Sequence, residues 1–371
     1  MFNKQNSKNK VFVGLSGGVD SSVAALLLKN SGYDVTGVFL HCFNIDGCAK
    51  RDAEDARQVA EYLNIPFHIF DFEEEYKKKV VEYMVREYQR GVTPNPDVAC
   101  NREIKFGLFL KKALQMGADY IATGHYVIKR RIANSKEQKN PEFGLYAGVD
   151  DNKDQSYFLW QLNQHDLKHS LFPIGNYTKT KVREIAKKAG LSNALKKDSQ
   201  GICFLGKVSL RDFLKNYIPP KEGDILNLKG KKIGEHEGAY YYTIGQRHVG
   251  VGNPKTSTGG DTKPQYVAEK NVKKNTLTMA EGKDNPALFK DEIKLTDVNF
   301  ISPELEIENK ELKVRARVRY RQPLFDAVLY KLSAGSYKLV FEKPQKFIAP
   351  GQSAVLYTND SKMLGGGIIT C

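Results

Sequence analysis

The stretch Val11-Phe12-Val13-Gly14-Leu15-Ser16-Gly17-Gly18-Val19-Asp20-Ser21-Ser22 decides how the chain is read. An apolar run of strand type, Val11 to Leu15, meets a Ser-Gly-Gly turn and passes straight into a helical stretch, Val23 to Lys29. Paired glycines let backbone N–H groups turn inward around an anion, and the start of the following helix adds positive partial charge. Gly14, Leu15, Ser16, Gly17, Gly18, Val19, Asp20 and Ser21 are therefore read as a phosphate loop, with a triphosphate as its natural guest. A Walker loop carries Gly-Lys-Ser/Thr, whereas here Val19 and Asp20 follow the second glycine and the next lysine is Lys29. This is a different phosphate loop.

Working outward, strand-like and helix-like segments alternate: Val35 to Leu40, Ala53 to Leu63, Phe67 to Phe70. The alternation predicts an α/β fold, a parallel sheet with helices on both faces. Tyr76, Val80, Tyr83 or Met84, and Glu87 or Tyr88 recur at helical spacing, so a long amphipathic helix is expected over Glu73 to Arg90. Thr93-Pro94-Asn95-Pro96 breaks it, Asp97 to Cys100 begins the next element, and Glu103 to Leu114 is helical in pattern. Asp119 to Thr123 is a buried strand ending in Gly124-His125. Ligands gather at the carboxyl ends of strands in open parallel sheets, so the loops after Leu15, Leu40 and Thr123 are expected to line one cleft.

Polar residues 129–143 predict a surface loop or hairpin tip, and Lys179 to Ala189 a helix ended by Gly190. Beyond about residue 205 the style changes. Pro219-Pro220, the turn at Gly230-Lys231 and Tyr240-Tyr241-Tyr242-Thr243 indicate a small β-rich domain. From about 284 onward the strand-like runs Leu312 to Tyr320, Ala327 to Leu332, Tyr337 to Phe341, Ala354 to Tyr357 and Gly367 to Thr370 indicate a small barrel. The expected domains are 1–205, 206–283 and 284–371.

The chain has 371 residues and a formal net charge of +14, with the excess in both halves, which fits a polyanionic partner as well as a solvated surface. No run approaches the roughly 18 apolar residues of a membrane helix, and Met1 to Lys8 lacks the apolar centre of a secretion signal. A cytoplasmic protein is expected. Five scattered cysteines with no C-x-x-C pair make neither a disulfide framework nor a zinc finger.

Cys100, in Asn95-Pro96-Asp97-Val98-Ala99-Cys100-Asn101, and Cys203, in Asp198-Ser199-Gln200-Gly201-Ile202-Cys203-Phe204, stand in polar loops. A thiol at a helix start beside Arg102 or Lys105 is a candidate for a lowered pKa, against the alternative of an inert buried thiol. In Lys313-Val314-Arg315-Ala316-Arg317-Val318-Arg319-Tyr320-Arg321, period two puts five cations on one strand face, a candidate phosphate strip or else a solvated face. Gln246-Arg247-His248 and Lys153-Asp154-Gln155-Ser156-Tyr157 are further polar clusters.

Together with Ala122-Thr123-Gly124-His125-Tyr126, Gly245-Gln246-Arg247, Arg319-Tyr320-Arg321-Gln322 and Pro350-Gly351-Gln352-Ser353-Ala354, these motifs closely resemble the bacterial tRNA-specific 2-thiouridylases, nearly end to end. The phosphate loop alone indicates only the wider PP-loop ATP pyrophosphatases; the two ordered cysteine motifs are the specific signal. The resemblance implies an adenine nucleotide α-hydrolase-like domain, a small central domain and a C-terminal β-barrel. It implies ATP with Mg2+, adenylation of the C2 oxygen of the wobble uridine in tRNAs for Lys, Glu and Gln, and sulfur delivered through a persulfide on Cys203 from a donor or relay protein. Cys100 would release that sulfur or close a disulfide, with Asp97 managing protons. Leu40 and Gly124 would contact adenosine, Asn95, Pro96 and Asp97 the target base, and His125, Lys153, Asp154, Gln155, Arg319, Tyr320 and Gln352 the tRNA. His41-Cys42-Phe43 departs from the basic-Asn-aromatic run expected beside the adenine. Asp97, Cys100 and Cys203 also suit an iron-sulfur cluster, which is not assumed. The rival readings are a small-molecule ATP pyrophosphatase or ligase and a non-catalytic RNA-binding protein.

Overall fold

In the first part of the chain the strands are β1 (Lys10–Gly14), β2 (Asp34–His41), β3 (Phe67–Asp71), β4 (Tyr120–Ala122), the hairpin β5 (Val127–Arg131) and β6 (Phe143–Ala147), and β7 (Ser170–Leu171). The computed structural model describes residues 9–43, 47–132, 142–197, 208–247, 249, 263–302, 311–333 and 335–370. Five strands form an all-parallel sheet in the order β3-β2-β1-β4-β7. β1 shows why the sheet is covered on both sides: Val11 and Val13 enter one apolar cluster with the helix Val19–Asn30, while Phe12 enters another with the helices that follow β3. A strand buried on both faces reads as a continuous apolar run.

The expected amphipathic helix spans 73–89, with Tyr76, Val80, Met84 and Tyr88 buried and a π-helical stretch at Lys77–Val81. A second continuous helix covers 96–115, with a π-helical stretch at Asn101–Phe109. It starts earlier than its apolar periodicity alone places it, because Asn95 caps it and Pro96 fits its first turn.

The middle of the chain contributes β8 (Gly223–Asn227), β9 (Lys232–His236), β10 (Gln265–Asn271) and β11 (Thr276–Glu281), in the order β10-β11-β8-β9. The tyrosine run is not a strand: Ala239–Tyr241 is a 3-10 turn that buries Tyr241 against this sheet.

The last part holds β12 (Phe289–Phe300), β13 (Glu311–Arg317), β14 (Phe325–Ser333), β15 (Ser336–Lys346), β16 (Ser353–Tyr357) and β17 (Lys362–Thr370). Their order is β12-β15-β14-β13-β16-β17, and β12 also pairs with β17, which closes a six-stranded barrel. β12 escaped the sequence reading because most of its charged residues face solvent and a register shift interrupts its alternation. β17 continues onto β6, so the hairpin of the first domain extends the barrel sheet.

The cationic strip is not borne out as one exposed face. β13 ends at Arg317, Arg321 has a positive φ of 62°, and Arg317 is buried with its guanidinium 3.0 Å from Asp154. Arg315 donates to the Leu324 carbonyl at 2.9 Å. Strand pairing with β16 carries the end of β13 against the first domain, where Arg317 neutralises a buried carboxylate.

Candidate functional site

The phosphate loop lies at the carboxyl end of β1, beside the ends of β2 and β4. Leu15 N donates to the Val38 carbonyl at 2.8 Å, which carries the first strand into the turn. Gly17 has φ +71°, and a Cβ there would lie 2.6 Å from the Asp52 carbonyl oxygen. Gly124 is held just as closely: a Cβ would lie 2.8 Å from Ser21 N, so only glycine lets the end of β4 touch the first turn of the helix. Ser21 Oγ accepts from Ser16 N at 3.1 Å and donates to the Gly18 carbonyl at 3.0 Å. Ser22 Oγ donates to the same carbonyl at 3.0 Å.

Three residues outside the motif complete the loop. Lys179 Nζ reaches both oxygens of Asp20, at 2.7 and 2.8 Å, and Tyr126 OH donates to Oδ1 at 2.6 Å. Asn193 Nδ2 donates to the Gly17 carbonyl at 3.0 Å and to Ser22 Oγ at 2.8 Å. The sequence marks Lys179 only as a helix start and Asn193 not at all. Thr178 capping the helix Lys179–Lys188 was the one local signal, and it says nothing of Asp20.

Leu40 is half-buried near the end of β2. At the neighbouring strand ends His41 Nδ1 lies 3.2 Å from Asp71 Oδ1. His125 is buried between Phe106 and Phe172, with Nδ1 2.8 Å from Thr123 Oγ1. Burial first, and the nearby Lys105 charge second, hold its pKa well below the ordinary histidine value, so the ring is neutral.

Cys100 closes the first stretch of the 96–115 helix and is buried in the larger apolar cluster with Val98, Ala99 and Ile104. Burial raises its pKa; Lys105 lowers it less, Asp97 raises it, and a hydrogen bond with Tyr76 lowers it. Of the two readings of Cys100, a thiol of lowered pKa and a buried one, the second describes it here. The thiol sits beyond the first turn, where the helix dipole fades, and desolvation outweighs the nearby cation. Cys203, with the whole Asp198 to Phe204 motif, lies outside the described residues.

The segment before Cys100 is where three parts of the molecule meet. Asn95 Oδ1 accepts from Val98 N at 3.3 Å, and the Asn95 side chain also hydrogen-bonds the buried Tyr157. From the barrel, Gln352 Nε2 donates to the carbonyls of Thr93 and Pro94, each at 3.0 Å. From the central domain, Thr243 Oγ1 lies 3.2 Å from Thr93 Oγ1. A cavity of about 110 Å³ opens beside it, with Asn95, Arg102, Trp160, Gly351 and Ser353 among its walls.

The Lys153 to Gln155 segment lies at the same junction. Asp154 is buried, accepting from Gly148 N at 3.1 Å, Ser156 N at 3.0 Å and Arg317. Gln155 Oε1 accepts from Tyr126 N at 3.1 Å. Tyr320 packs 4.5 Å, ring to ring, on Phe158, and the Arg319 guanidinium lies over Phe347 at 5.8 Å.

A parallel sheet whose first strand leads through a glycine turn onto a helix defines an anion-binding α/β domain. Residues 9–207 match the family described as the tRNA methyl transferase HUP domain, 211–281 the tRNA methyl transferase PRC-barrel domain, and 290–369 the aminomethyltransferase beta-barrel domain. The chain is 44% identical to the tRNA-specific 2-thiouridylase MnmA of Bacillus licheniformis, covering 99% of this chain and 96% of that protein. It is 46% identical to that of Nitrosomonas eutropha (98% and 99%) and 42% identical to that of Christiangramia forsetii (97% and 100%). The chain belongs to the tRNA-specific 2-thiouridylase family.

Proposed function

We propose that this protein is an ATP-dependent tRNA sulfurtransferase that converts the wobble uridine of tRNAs for Lys, Glu and Gln to 2-thiouridine in the cytoplasm. The observation that carries the reading is the pairing of a prearranged phosphate loop with a cysteine segment fastened by all three parts of a chain that matches its relatives end to end. The domains are read as 1–205 for nucleotide and chemistry, 206–283 and 284–371 for tRNA. Among the described residues no helix is long and apolar enough to cross a membrane.

A uridine C2 oxygen is a poor leaving group, and adenylation makes it a good one. The C2 oxygen attacks the α-phosphorus of ATP, and pyrophosphate departs toward the N–H groups of Val19 to Ser21 at the helix start. Cys100 then attacks the Cys203 side of a Cys203 persulfide, its proton going to a neighbouring base, for which Asp97, three residues upstream, is the candidate. Hydrosulfide leaves, adds to C2 and expels AMP, and the Cys100–Cys203 disulfide is returned to thiols by an external dithiol reductant. The target base must leave its stack, since C2 is unreachable inside it. Asn95, Pro96 and Asp97 are read as its contacts, Leu40 and Gly124 as adenosine contacts, and Lys153, Gln155, Arg319, Tyr320 and Gln352 as the tRNA side, with His125 and Asp154, both buried, supporting that side from within.

Magnesium fits this loop only on the nucleotide. Both oxygens of Asp20 are engaged by Lys179, so the ion would be held by phosphate oxygens and water and would supply charge neutralisation there.

The test is mass spectrometry of tRNA nucleosides after incubation with tRNA, ATP and a persulfide donor. The expected result is 2-thiouridine and pyrophosphate in equal amounts; Cys203→Ala should abolish 2-thiouridine and hold pyrophosphate release to a single adenylation per enzyme, since that step precedes sulfur transfer. A small-molecule ATP pyrophosphatase would instead keep its pyrophosphate release with Cys203→Ala and leave the tRNA unchanged.

A further inference from the structure

Resting on that reading, we propose that Gln352 is also a positioning residue: its amide nitrogen clamps the main chain of the base-contact loop. The Nε2 amino group has two hydrogens, and it has two acceptors, the consecutive carbonyls of Thr93 and Pro94. Both donors are thereby engaged by the loop, and the amide oxygen is left to accept from the tRNA.

The rest of the barrel loop is arranged to deliver this amide. Gly351 N donates to the Ile369 carbonyl at 2.8 Å and Ile369 N donates to the Gln352 carbonyl at 2.8 Å, so the Gln352 backbone is fixed to β17. Thr93 N donates to the Pro350 carbonyl at 2.9 Å. Gly351 has φ +89°, and a Cβ on it would lie 2.8 Å from the Thr93 carbonyl oxygen and closer still to Val92. The next residue works on the same wall: the Ser353 carbonyl accepts from Tyr157 OH at 2.9 Å and its hydroxyl from Trp160 Nε1 at 2.9 Å.

The need for a clamp follows from the loop itself. Pro96 has no N–H to give the Thr93 carbonyl in a local turn, so that carbonyl needs a donor from elsewhere. Gln352 supplies the donors from 259 residues away in sequence. The loop ends in the Asn95 cap and the helix that carries Asp97 and Cys100, so fixing its carbonyls fixes where those side chains stand.

The experiment compares wild type with Gln352→Met, which removes both donors, and Gln352→Glu, which keeps the length without them. Three quantities are read: the single-turnover thiolation rate at saturating tRNA, the tRNA Kd, and the rate at which iodoacetamide alkylates Cys100 in the tRNA-free protein, with melting temperature as the check on folding. Misplacing a reacting group by about 1 Å costs on the order of 10- to 100-fold, so the saturated rate is expected to fall by at least about tenfold. Cys100 in the tRNA-free protein should alkylate faster as the loop loosens, whatever the change in Kd. A weakened Kd with an unchanged saturated rate and wild-type alkylation would leave Gln352 a tRNA contact alone and overturn the proposal. Wild-type values for both rate and alkylation would overturn it equally. If wild type itself makes no 2-thiouridine, the functional reading fails, while the alkylation comparison still decides the clamp. If the Met variant does not fold, the Glu variant carries the test.

Discussion

The phosphate loop and the loop before Cys100 stand in the same domain, yet they are held in different ways. The first is wired by its own serines and by Lys179, Tyr126 and Asn193, all of the same domain, around an edge that solvent reaches. The second is buried and takes its fastenings from the central domain and the barrel, 150 and 259 residues away. A site that binds phosphate needs N–H groups waiting in place, which a local motif provides. A thiol that must act only when a large polyanion has docked is better governed by the surfaces that polyanion covers. The two loops are expected to respond separately to damage.

The largest separation is expected at Cys100. Cys100→Ser should lower thiolation by on the order of 10⁴ or more, while ATP affinity measured by calorimetry stays at the wild-type value. Preserved turnover would remove Cys100 from the chemistry. The same thiol gives a pH signature. Its pKa is raised above the ordinary 9.0 by desolvation, so the tRNA-free enzyme should be alkylated there ever faster up to and past pH 9. A plateau near neutrality would contradict the buried thiol. The sign for stability follows: the folded state holds the proton more tightly, so this contribution is intact below the unfolded pKa and is lost as pH rises through the folded one.

Arg317→Met comes next, and it tests the barrel side. The Arg317–Asp154 pair is nearly dry, with side chains 10% and 2% exposed. Removing one partner of such a pair costs about 3–5 kcal/mol, read as a shift in the urea midpoint of the unfolding step that includes the barrel junction. The salt dependence of tRNA binding should keep its slope, because Arg317 neutralises a carboxylate and is not available to phosphate. A slope reduced by about one would restore the phosphate-strip reading.

On the phosphate-loop side, Lys179→Met should cost less, about 2 kcal/mol, because Asp20 keeps partial access to water. Asp20→Asn in the Lys179→Met background should recover part of the loss, since the stranded charge is then gone. Additive losses in that double-mutant cycle would show that the two side chains act independently.

How much of this the sequence discloses follows the same division. The phosphate loop is legible because strand, glycine turn and helix start are adjacent, and each has a local physical signature. The alternation of Val11, Phe12 and Val13 between two helix layers is legible too, as an unbroken apolar run. What holds Asp20 is not, since Lys179 and Asn193 meet the loop only after 159 and 171–176 residues of folding. Arg317 misled because period two predicts which residues share a strand face but not what packs against that face. Cys100 stayed open between two readings for a related reason: a cation five residues on is visible in sequence, while the surrounding apolar cluster is assembled from distant segments. The barrel was legible strand by strand except for β12, whose outward charges mask its pairing.

The smallest effect expected is at the contact between central domain and cysteine loop. Thr243 Oγ1 lies 3.2 Å from Thr93 Oγ1, and it also hydrogen-bonds Tyr88, whose pKa burial pushes up to about 12. Thr243→Val keeps the shape and deletes the hydroxyl, at a cost of about 1 kcal/mol for a neutral hydrogen bond. If the loop is governed from both other domains, this variant should accelerate alkylation of Cys100 in the tRNA-free protein modestly, by about twofold to fivefold, and leave ATP affinity untouched. An alkylation rate equal to wild type, with the small stability loss still present, would mean that the central domain merely abuts the loop and that its placement is set from the barrel.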